Sequence, residues 1–135
     1  MTIQLQYCNI TVADVEESIP FYRDALGLEV VQDVSYEGFR WVTLSSPAQP
    51  GVGIVLSVPH AGRSQENGDL LQELLLKGEL PILVFQADDL DATFERVRAS
   101  GAEVLQEPID MGYARDCAFR DPSGNMVRIS ERAAA

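Results

Sequence analysis

The sequence of 135 residues predicts an α+β fold in which two βαβββ modules form a curved, mixed eight-stranded sheet. Three observations carry this prediction. First, the stretch 14–32, DVEESIPFYRDALGLEVVQ, returns 74 positions later. Asp14 matches Asp88, Gly27 matches Gly101, Glu29-Val30 matches Glu103-Val104, and Gln32 matches Gln106. A repeat of that size is one structural unit used twice. Second, residues 5–12, 39–45 and 52–58 alternate apolar and mixed positions with the period of a strand. Third, turn sequences punctuate these runs, Glu37-Gly38 in the first half and Asp121-Pro122-Ser123-Gly124 in the second.

The elements follow in order. In residues 5–12, Tyr7, Asn9 and Thr11 share one face and Cys8, Ile10 and Val12 the other. Asp14 caps the next helix, and Glu17 three residues later completes a capping-box pattern. Ile19, Tyr22 and Leu26 recur at helical spacing, and Gly27 stops the helix. Pro20 falls inside it, which delays its start or bends it. Strands follow at 28–36, 39–45 and 52–58, with Phe39, Trp41 and Thr43 on the mixed face of the second of these. The first module therefore spans residues 4–59. Residues 60–79 form a connector with a short apolar helix at 69–77, ended by Gly78. The second module, 80–132, begins with a strand at 81–86. A helix from Asp88 or Asp89 to Ser100 comes next, then strands at 103–107, 115–120 and 126–130. Each sheet lays one apolar face under its helix, and the opposite faces meet or line a cavity.

Composition narrows the function. The length is that of one domain. Nearly half of the residues are apolar, which a disordered chain would not carry. The apolar runs fall far short of a membrane span, and MTIQLQYC at the start lacks the pattern of a signal peptide. A soluble cytoplasmic protein is expected. The net charge of −11 gives phosphates no basic stripe to bind. It suits solubility and permits a cationic ligand. Cys8 and Cys117 lie in strand-like runs without a CxxC motif, so two buried free thiols are expected rather than a disulfide.

The order of elements, with FYRDALGLEV early and FRDPSGNMVRI late, resembles the vicinal oxygen chelate superfamily. This group holds glyoxalase I, extradiol dioxygenases, fosfomycin-resistance transferases and bleomycin-resistance proteins. The resemblance covers nearly the whole chain. It implies the glyoxalase/bleomycin-resistance fold, a pocket on a concave sheet, and a bacterial homodimer whose modules pack across a two-fold axis. It also implies where a divalent metal would be held in the enzymes of the group, one side chain from each outer strand of each module. Those positions fall here on Tyr7, Val55, Pro81 or Ile82, and Arg128. Valine and isoleucine have no lone pair to offer, and arginine repels a cation. Neither metal nor cofactor is expected, and His60, the one histidine, lies in the connector.

The mixed face still offers chemistry. Tyr7, Phe39, Trp41 and Phe85 supply aromatic surface, joined by Tyr36 from the hairpin. Asn9 and Arg128 supply hydrogen bonds beside Val55, and the loop carrying Tyr113, with Arg115 and Asp116, closes one end. Aromatic walls with a few polar groups suit a flat organic ligand. No nucleophile–base pair is apparent, so no catalytic residue is assigned. The resemblance to the bleomycin-resistance branch then implies a protein that sequesters an aromatic or cationic small molecule and so confers antibiotic resistance. The alternatives are a metal-independent lyase, isomerase or cyclase using Tyr7 or a carboxylate as base, and a metalloenzyme with non-standard ligands.

Overall fold

The computed structural model describes residues 1–132. The chain runs β1 (Tyr7–Thr11), α1 (Val15–Pro20) and a π-helical turn (Phe21–Ala25), then β2 (Glu29–Tyr36), β3 (Phe39–Ser45) and β4 (Gly53–Ser57). After α2 (Gln65–Leu76) come β5 (Leu83–Ala87), α3 (Leu90–Ala99), β6 (Glu103–Asp110), β7 (Arg115–Arg120) and β8 (Met126–Glu131). The strands form two four-stranded sheets in the same order, β1-β4-β3-β2 and β5-β8-β7-β6. The eight strands expected in one sheet thus divide into two, each mixed: β1/β4 and β5/β8 pair in parallel, the rest antiparallel.

The repeat is exact in chemistry but not in length. Asp14 Oδ1 accepts from the Glu17 N–H at 3.0 Å, and Asp89 Oδ1 accepts from the Ala92 N–H at 3.0 Å. Asp89, not Asp88, is therefore the second cap. Both helical segments stop at a left-handed glycine, Gly27 (φ 81°) and Gly101 (φ 93°), a conformation that side chains disfavour. The first segment carries one more residue between cap and stop. The π-turn absorbs it: the Leu26 N–H donates to the Phe21 carbonyl, five residues back, at 3.0 Å, the pattern of a one-residue insertion in a helix. Pro20 ends the regular α-turns immediately before it. The strands after both helices bulge at matching places, between Val30 and Gln32 and between Val104 and Gln106.

One face of each sheet is buried. Val42, Leu44 and Leu56 in the first and Cys117, Phe119, Val127 and Ile129 in the second join Tyr22, Phe94 and Val97 from the helical segments in a single core. Phe94 and Phe119 lie with ring centroids 5.3 Å apart. The modules are also tied by polar contacts. Tyr22 Oη donates to Asp121 Oδ2 at 2.6 Å, Asn125 Nδ2 to the Thr11 carbonyl at 2.8 Å, and Arg96 Nε to the Ala25 carbonyl at 2.9 Å. The DPSGN turn is thus a junction between modules as well as a turn.

Three expectations change. The connector helix starts four residues earlier than predicted, capped by Ser64, whose Oγ accepts from the Asn67 N–H at 3.2 Å. The strand expected to end at 107 continues three residues further, to Asp110, so the loop that follows it is shorter. Cys117 is buried, but Cys8 on edge strand β1 is exposed. No helix among the described residues is long and apolar enough to cross a membrane.

Candidate functional site

The sheet faces turned away from the helices, the open faces, stay outside the apolar core cluster, although Thr43, Val55, Asp116 and Ala118 on them are buried. Strand register fixes what stands on each, because residues directly opposite one another across paired strands share a face. On the first sheet Asn9 faces Val55, and Val55 faces Thr43. Trp41 faces Val34, and Phe39 faces Tyr36. The hairpin that sets the last pair has both central residues left-handed, Glu37 (φ 51°) and Gly38 (φ 82°), the geometry of a two-residue hairpin turn. Phe39 and Trp41 meet edge to face with centroids 6.5 Å apart. Tyr7 faces Gly53, where an added Cβ would come 3.4 Å from Tyr7 Cδ1 and 2.9 Å from the Leu44 carbonyl oxygen. Gly53 thus lets the Tyr7 ring lie close over the strand. The predicted residues Tyr7, Asn9, Tyr36, Phe39, Trp41 and Val55 therefore share one face.

The second open face is polar at its centre. Arg128 faces Val84 on one side and Ala118 on the other. Its Nε donates to Asp116 Oδ2 at 2.9 Å, and its Nη2 donates to Asp116 Oδ1 at 3.1 Å and to Gln106 Oε1 at 3.0 Å. Gln106 Nε2 returns a hydrogen bond to Asp116 Oδ1 at 2.9 Å. The hydrogen bonds from Arg128 hold the Asp116 carboxyl below its usual pKa, against the opposing effect of burial, and Gln106 adds to the lowering. Sequence reasoning missed Gln106. The signal was present, because Gln106 is the repeat partner of Gln32, directly after the shared bulge.

The remaining predicted residues separate. Phe85 faces Ile129 and packs against the core, so it stands on the helix side of the second sheet. Arg115 turns the same way: its Nη2 donates to Asp91 Oδ1 of α3 at 2.9 Å and its Nη1 to Glu131 Oε1 at 3.2 Å. Neither contributes to the open face, contrary to the sequence expectation. Tyr113 lies between β6 and β7, highly exposed. His60 Nε2 sits 2.8 Å from Asp69 Oδ1, within the connector.

The positions at which the resemblance places a metal can be tested on these faces. Leu83 is buried in the core, so alternation puts Ile82 and not Pro81 on the open face. The set is Tyr7, Val55, Ile82 and Arg128, with Arg128 already committed to Asp116. These residues do not fit a divalent cation: two are hydrocarbon and one is a cation. Among the described residues, no three or more His, Cys, Asp or Glu side chains are placed to hold a metal ion together.

The defined grooves reach the open faces only at their margins. One, of about 890 Å³, runs between the helical segments and the Asp121–Gly124 turn. A groove of about 360 Å³ touches the rim of the first open face at Tyr7, Gln32 and Ser45. The larger groove is walled mostly by helix ends and turn residues and meets the second open face only at its edge, through Glu103 and Arg120. We place the candidate site on the open faces, where the aromatic surface and the partly exposed Arg128 are.

Two βαβββ modules of identical strand order, each with an unfilled face, define a paired-module α+β protein. Residues 4–129 match the Glyoxalase/Bleomycin resistance protein/Dioxygenase superfamily, and the chain belongs to it. Its structure is similar to that of UcmS2, at 30% identity and a TM-score of 0.86, covering 96% of this chain and 98% of that one. It is also similar to TnmS3, an antibiotic binding protein from Streptomyces sp. CB03234, at 22% identity and a TM-score of 0.77, covering 98% of both chains. In sequence it is 27% identical over 134 residues to a lactoylglutathione lyase of Haemophilus influenzae, covering 96% of this chain and 93% of that protein.

Proposed function

We propose that this chain is a metal-free binding protein for a flat aromatic or cationic small molecule of antibiotic type, and that it works as a homodimer. The observation that carries the reading is the refilling of the metal positions. Tyr7 lies over Gly53 as an aromatic surface, Val55 and Ile82 are hydrocarbon, and Arg128 is braced by Asp116 and Gln106. Such faces bind an organic molecule by stacking and a few directed hydrogen bonds. They provide no Lewis acid. They also provide a poor proton acceptor, because Arg128 and Gln106 occupy the Asp116 carboxylate and hold its pKa low. This weighs against a lyase or isomerase that uses Asp116 as its base. The antibiotic binding of TnmS3 supports the reading by likeness of fold.

The exposure of both faces supports the dimer. Tyr7, Val34 and Tyr36 on the first open face are 41%, 43% and 64% exposed; Ile82 and Val84 beside the second are 52% and 63% exposed. Apolar surface on this scale marks an interaction site. Bringing the first face of one copy against the second face of another covers both and encloses a cavity with Trp41 on one wall and Arg128 on the other.

Trp41 is the one tryptophan, so its fluorescence reports binding. Titration with a panel of planar antibiotics is expected to give a saturable change that Tyr7→Ala weakens, with the ligand recovered unaltered. A chemically converted ligand, or no response to any member of the panel, overturns the reading.

A further inference from the structure

The hydrogen-bond inventory of Arg128 specifies more than its position does. A guanidinium has five N–H donors in a fixed fork. The Nε donor and both Nη2 donors of Arg128 are taken by Asp116 and Gln106. Nη1 has only the Met126 sulfur, at 3.8 Å, a weak acceptor. No oxygen among the described residues accepts from it. The side chain is 20% exposed and the Asp116 side chain 4%. The Nη1 edge is therefore what remains accessible, between Val84, Ala118 and Met126.

Charge then selects the partner. Asp116 lies against the guanidinium and cancels most of its field, so the free edge is a directed donor with little net charge. A carboxylate or phosphate placed there would meet the Asp116 carboxylate close behind the donor. An ammonium would meet N–H groups alone. A neutral acceptor oxygen, such as a ring ketone or lactam carbonyl, satisfies the donor without bringing a charge into a half-buried place.

Resting on the binding reading above, we propose that Arg128 is the specificity-determining donor of this site, and that it selects aromatic ligands carrying a neutral carbonyl oxygen. Asp116 and Gln106 are positioning residues. They fix the plane of the guanidinium and mask its charge. A positive substituent on the ligand, where present, lies away from this end.

A single ring skeleton with three charges tests the proposal: acridone (neutral carbonyl), acridine-9-carboxylate (anion) and 9-aminoacridine (cation), titrated into the full-length protein by calorimetry. The wild type is expected to bind acridone at least about tenfold more tightly than the carboxylate, the scale of one well-placed charge-assisted hydrogen bond. Arg128→Met removes that preference and, by leaving the Asp116 carboxylate unpaired, is expected to bind 9-aminoacridine more tightly than the wild type does. Asp116→Asn unmasks the guanidinium and reverses the order in favour of the carboxylate. The ranking by the wild type stands independently of any variant that fails to fold. Arg128→Lys keeps the charge without the fork and is expected to lose the acridone preference. The proposal is overturned by a wild type that prefers the carboxylate or the cation, or by an acridone affinity unmoved in folded Arg128→Met. Absence of binding by all three skeletons overturns both this proposal and the binding reading; binding in the wrong order overturns this proposal alone.

Discussion

Tyr22 Oη and Asp121 Oδ2 lie 2.6 Å apart, fully inside the protein and 99 residues apart in sequence. Burial, then the neighbouring Asp121 charge, raises the phenol pKa well above its ordinary range, so the hydroxyl remains a donor. Asp121 also accepts from the Ser123 and Asn125 backbone N–H groups and from Asn125 Nδ2. The two sequence segments that carry the family resemblance, FYRD and DPSGN, are thus the two halves of one contact between modules. Tyr22→Phe removes a buried donor without changing the ring and is expected to lower stability by about 1–3 kcal/mol. Denaturant unfolding measures this; a loss below a few tenths would show that the junction is held by the apolar core alone.

Asp116 gives a pH dependence with a defined sign. Its folded pKa is depressed below the usual value of 3.8. The stability it contributes is therefore fully present above that value and is lost as pH falls through the lower, folded pKa. The stability difference between wild type and Asp116→Asn is expected to be constant through neutral pH and to narrow only in acid, below about pH 4. A difference that instead changes between pH 5 and 8 would contradict the assignment.

Gly68 sits inside α2 against the ring of His60. A Cβ there would come 2.2 Å from His60 Cδ2 and 2.6 Å from its Cγ. Glycine to alanine inside a helix ordinarily gains about 1 kcal/mol, but overpacking costs about 1–3 kcal/mol. Gly68→Ala is therefore expected to destabilise, whereas the same change in a His60→Ala background is expected to stabilise. A double-mutant cycle checks it; additive effects would remove the His60 contact from the account.

Val84 tests the dimer. It stands beside Arg128 on the second open face and is largely exposed in the single chain. Val84→Glu is expected to leave secondary structure intact and to convert a dimer into a monomer in sedimentation. A wild type that sediments as a monomer, or a dimer indifferent to Val84→Glu, contradicts the pairing of faces.

The sequence made the fold legible because its signals are local: two helix caps, two left-handed glycines, alternating strands and matched turns. The face on which a candidate residue stands was legible where one register sufficed, as for Tyr7, Trp41 and Val55. It failed where the repeat slips. The 74-residue offset holds after the helices, but the π-turn adds one residue to the first, so before the helices the offset is one greater. Carried back unchanged, it makes Phe85 the equivalent of Thr11 on the open face. A slip of one residue reverses the face of a strand, and Phe85 is in the core. Arg115 could not be placed from sequence, because its partners Asp91 and Glu131 lie on α3 and β8. The start of α2 was hidden by Gly68, whose reason for being in a helix is a histidine ring from outside it.

The central claim is that the open faces hold an organic molecule where the family resemblance places a metal. Calorimetric titration of chelator-stripped protein with the planar antibiotic panel tests it most directly, with each ligand recovered afterwards. The account predicts saturable binding, unchanged by chelator or by added zinc, nickel or manganese, and intact ligand. Binding that appears only with a divalent ion and disappears in Tyr7→Ala would contradict it.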